Sequence, residues 1–126
     1  MINKKALSEL MQKLETERGP FTLFGLFMPD AIPGSWHLVL AAPWLETGSL
    51  SVLQDLIDLL TRDLGKEQKK LISAVIILED NSPFLQTVLE EVGEVSSPIQ
   101  RFGRDLFDSP MHKAYILKAR PAQIAA

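Results

Sequence analysis

The segment Phe21-Thr22-Leu23-Phe24-Gly25-Leu26-Phe27-Met28 carries no charge and is apolar in both phases of an extended chain. Successive side chains of a strand point to opposite faces, so the alternation places Phe21, Leu23 and Phe27 on one side and Phe24, Leu26 and Met28 on the other. Neither side suits water. A strand of this kind is an inner strand covered on both faces, and the chain must supply something to cover each of them.

Three segments have the period of amphipathic helices. Leu7, Leu10, Met11 and Leu14 recur at helical spacing among Lys, Glu and Gln, which predicts a helix over 3–18 ended by Gly19-Pro20. Leu50, Leu53, Leu56, Ile57, Leu60 and Leu64 predict a second over 50–64. Ser51 with Gln54 forms a candidate capping box, Thr47 and Ser49 are alternative starts, and Gly65 offers a left-handed stop. The third spans 83–92, with Ser82 as N-cap, Pro83 at the favoured first position and Gly93 at its end.

Strand signals fill the intervals. Trp36–Ala42 follows Phe21–Met28 across Pro29–Ser35, a stretch of turn chemistry that suits an antiparallel hairpin with a wide loop. Leu71–Leu78 is a continuous apolar run of strand length and is expected at the centre of the sheet. Pro98, Gly103 and Pro110 break up 94–111, leaving room for a short edge strand at 99–102 before a last strand over about 112–119. The order α-β-β-α-β-α-(β)-β describes an α/β domain with a mixed sheet of 4–5 strands and helices on both faces. At 126 residues one core is expected, with a single domain over 1–120 and a flexible tail over 121–126.

Composition removes several kinds of chemistry. The chain has no cysteine, which excludes disulfides, thiolate catalysis, iron–sulfur clusters and Cys-based zinc sites. Charge returns at Lys4 before any apolar run of signal-peptide length, and no stretch approaches the ~18 apolar residues of a membrane span. A cytoplasmic protein is expected. The net charge of −3 is uneven: residues 95–126 hold 5 basic and 2 acidic side chains, against 8 and 14 in residues 1–94. Arg101, Arg104, Lys113, Lys118 and Arg120 are candidates to meet phosphates or an acidic partner, but they fall short of the basic stripe of a nucleic-acid binder.

Acids are the remaining candidates for catalysis. Glu79 and Asp80 follow the 71–78 strand, where ligands gather in open α/β sheets, although acids ahead of a helix also complement its dipole. Asp30 ends the first strand. Asp30 together with Glu67-Gln68-Lys69 has the residue types of a nuclease pattern in which acids hold Mg²⁺ and a lysine assists the attacking water, but the acid-x-Lys triplet precedes the strand on which that pattern needs it. His37 and His112 lack metal-ligand spacing, and His37 reads as a structural residue of its strand. Phosphate-binding glycine loops and the nucleophile elbow are absent.

Two readings follow. The first is a non-catalytic interaction module, a homodimer or the docking partner of another protein, using the second hairpin strand, Trp44 or the basic residues Arg101 and Arg104. Trp is enriched in binding hot spots, while Trp36 fits the core. The second is a metal-dependent hydrolase of a phosphodiester-like substrate, with Asp30, Glu79 and Asp80 holding a divalent ion and Lys69 or Lys113 stabilising developing charge. The first needs only ordinary features, whereas the second needs three acids from separate segments to converge.

Overall fold

A computed structural model describes residues 3–29, 34–45, 50–79, 81–102 and 111–120. Helix α1, Lys4–Arg18, starts where the Asn3 side chain accepts the Ala6 N–H. It ends at Gly19, whose φ of 134° favours a residue without a side chain. Strands β1 (Leu23–Pro29) and β2 (Trp36–Ala41) follow, then α2 (Leu50–Leu64), α3 (Lys66–Lys69) and β3 (Ile72–Ile77). Helix α4 (Pro83–Val92) begins at Ser82, whose hydroxyl accepts the Leu85 N–H. Strands β4 (Ile99–Phe102) and β5 (Met111–Ala119) complete the order.

The strands form one mixed sheet in the order β3-β2-β1-β5-β4. β1 lies at its centre, antiparallel to β2 and to β5, while β2 and β3 are parallel and β4 and β5 antiparallel. Both apolar faces of β1 are covered, as its sequence requires. Phe24, Leu26 and Met28 pack with Leu7, Leu10 and Leu14 of α1 and Leu56 and Leu60 of α2. Leu23 and Phe27 pack with Leu85, Val88 and Leu89 of α4. The result is three layers, helix on sheet on helix.

Phe21 departs from the expected alternation. It sits ahead of β1, outside the pleat, and turns to the α1 side, with its ring 5.0 Å from Phe24 and 5.1 Å from Trp44.

The expectation that 71–78 forms the sheet's centre is also corrected, because β3 is an edge strand. Val75 and Ile77 pack on the α1/α2 layer and Leu78, just past the strand, on the α4 layer, while Ile76 is exposed. Whether a further strand lies alongside is decided by main-chain pairing, which side-chain type does not report.

Among the described residues, no helix is long and apolar enough to cross a membrane.

Candidate functional site

Among the described residues, those proposed from sequence do not form one cluster. Asp30, Asp80 and Arg104 lie outside the described residues. The strands leading to the two acids leave the sheet at opposite ends: Phe27 pairs with His37 where β2 begins, whereas Leu78 donates its N–H to Leu40 where β2 finishes. At about 3.3 Å per residue, His37 and Leu40 are on the order of 10 Å apart along β2, and the two chains run on from there in opposite directions. Glu79 is exposed, and its carbonyl accepts the Ser82 N–H in the turn before α4. Among the described residues no group of three or more His, Asp or Glu side chains is placed to hold a metal ion.

Lys69 lies on α3, not on a strand. Residues two apart on a helix do not share a face, so the acid-x-Lys geometry is not formed, and Glu67 instead lies 3.7 Å from Lys70. Trp44 is half-buried, and its indole N–H is already given to the carbonyls of Gly19 and Pro20, at 3.0 and 3.2 Å. Arg18 stacks over its ring. Trp44 thus closes one end of the core. His37 lies on the α4 side of β2, beside Phe27, Ile76 and Phe84 in a shallow apolar depression.

The basic residues of the C-terminal quarter do not form one patch. Lys118 and Arg120 both face Glu15, at 3.8 and 2.7 Å, and Arg101 is exposed on β4. Lys113 lies over the Trp36 ring, 5.3 Å from its centroid, at the opposite end of β5. There it lines a cavity of about 460 Å³ that also takes in Lys4, Trp36 and Tyr115.

The edge of β3 has a different character. Ile72-Ser73-Ala74-Val75-Ile76-Ile77 has no charged residue, proline or glycine, and Ile76 is exposed over 36% of its surface. The Leu78 N–H turns toward β2, so ladder alternation turns the main-chain groups of Ile77 and Val75 outward. Helix α2 belongs to the layer on which Val75 and Ile77 pack. One flank of α2, carrying Asp55, Asp58 and Arg62, meets Arg18 at the end of α1 across a polar depression. Helical spacing puts Leu53 and Ile57 on the other flank, and both are half-buried.

Comparison with family models, curated proteins and solved structures gives no match. What the chain does must therefore be argued from its own geometry. Sequence reasoning missed the β3 edge because the apolarity of 71–78 was read as lateral burial. The sequence carried no signal for the edge, since 71–78 lacks the charge and proline that mark edge strands.

Proposed function

We propose that the chain is a non-catalytic interaction module that pairs with a second copy of itself along the open edge of β3. The observation that carries this reading is the uncharged, regularly paired edge of Ala74–Ile77. Soluble proteins protect such edges with lysine, proline, bulges or a covering element; among the described residues β3 has no lysine, proline or covering element, and its one register shift lies at the start of the strand, between Ile72 and Ala74, leaving Ala74–Ile77 in regular pairing with β2. A second β3 is a fitting occupant. Antiparallel pairing about a two-fold axis sets the strand against its own sequence, so no like charges oppose each other and every outward N–H finds a carbonyl.

Sedimentation from low micromolar to near-millimolar concentration tests the proposal. The expected result is a dimer whose fraction rises with concentration, together with amide-exchange protection at Val75 and Ile77 that rises in parallel. Ile76→Lys should return the protein to a monomer whose thermal midpoint matches that of the wild-type chain at concentrations where it is monomeric, because this side chain is already more than a third exposed. A wild-type monomer throughout, or an Ile76→Lys variant that associates as wild type does, overturns the reading.

A further inference from the structure

We infer that the cavity between the start of α1 and the strands β4 and β5 is a binding site for a small aromatic anion. Its volume of about 460 Å³ falls in the range of small-ligand sites, roughly 300–1,000 Å³. Trp36, Tyr115 and Phe102 supply aromatic surface, and Lys4 and Lys113 supply charge. Each ammonium is held over a ring: Lys4 Nζ lies 4.2 Å from the Tyr115 centroid and Lys113 Nζ 5.3 Å from that of Trp36. Such contacts keep a lysine at an aromatic wall instead of leaving it free in water.

Three observations point toward an anion. No Asp or Glu is among the described residues lining the cavity, and neither lysine has a carboxylate partner among them. Lys4 also occupies the first turn of α1, which has no acidic residue. A cation there opposes the helix dipole, so helix stability does not account for its position. Among the described residues, the charges at the mouth are the two ammoniums and the positive end of α1.

The aromatic part of the ligand is argued from Phe102. On β4, where it pairs with Lys113, its ring is 68% exposed, the most exposed large apolar side chain among the described residues. A flat ring entering the cavity would cover Phe102 and lie against Trp36, with its anionic group toward the two ammoniums. The cavity also takes in Leu71, just before β3, but its charged and aromatic residues lie on α1, β2, β4 and β5 and not on the outward edge of Val75 and Ile77.

Titration of the full chain with 1-naphthyl phosphate, followed by amide and indole NMR, tests the inference. Saturable shifts are expected at the Trp36 indole N–H and at the Gln100 and Tyr115 amides. 1-Naphthol and inorganic phosphate should each bind at least tenfold more weakly than 1-naphthyl phosphate. Lys4→Gln and Lys113→Gln should each weaken binding several-fold while keeping a dispersed spectrum. Absence of saturable shifts, equal binding of 1-naphthol, or indifference to both substitutions overturns the site. Equal binding of inorganic phosphate overturns the aromatic ligand. If a variant fails to fold, the comparison of the three probes on the wild-type chain decides.

Discussion

Glu15 joins three parts of the chain. Its carboxylate accepts the Phe21 N–H at 2.9 Å and a guanidinium N–H of Arg120 at 2.7 Å, and it faces Lys118 at 3.8 Å. Helix α1 is thereby tied to the entry of β1 and the exit of β5. The side chain is 15% exposed, so its loss leaves a main-chain N–H and two cations short of their acceptor. Glu15→Ala should lower unfolding free energy by roughly 2–3 kcal/mol, measured by urea denaturation. Glu15→Gln, which keeps an acceptor for Phe21, should cost less. The role was not legible from sequence. Glu15 belongs to the polar side of an amphipathic helix, and its main partner is 105 residues away, a separation that no local pattern reports.

At the scale of elements, legibility follows local punctuation. The structure starts α4 at Pro83 and ends it at Val92, the limits expected from Ser82-Pro83 and Gly93, because caps are decided within one turn of chain. Ser82→Ala should cost roughly 0.5–1 kcal/mol by the same denaturation measurement. The low end is favoured because its hydroxyl lies 3.4 Å from the Leu85 nitrogen. The one-turn α3 was not foreseen, since four polar residues, Lys66–Lys69, carry no apolar period. The position of β3 was misread for a different reason. Hydrophobic pattern records what lies above and below a strand, while lateral order is set by backbone pairing and by where the crossovers pass.

At the scale of the molecule, the alternation of strand directions matters most to the hydrolase reading. The hairpin turns β1 against β2, and the α2 crossover returns β3 parallel to β2. The ends of β1 and β3 therefore face apart. Neither reversal is visible in the types of Asp30, Glu79 and Asp80, which is why they looked like a set in the sequence. A metal bound only by the folded chain must raise its melting temperature. Scanning calorimetry with millimolar Mg²⁺ or Mn²⁺ against EDTA should show a change below about 1 °C, and a clear rise would restore the hydrolase.

The two margins of the sheet are unlike. β4 is four residues long, carries Arg101 and is mostly exposed, whereas β3 is longer and uncharged. Pairing β3 of one molecule with β4 of the next would leave a free margin at each step and grow without limit, as head-to-tail contacts do when rotation does not close them. Two β3 strands joined face to face consume each other's margin, and the charged β4 strands then stand at both outer ends of a ten-stranded sheet. Assembly by this route terminates itself, so a high concentration of the chain should yield a clear solution of discrete particles and no fibres.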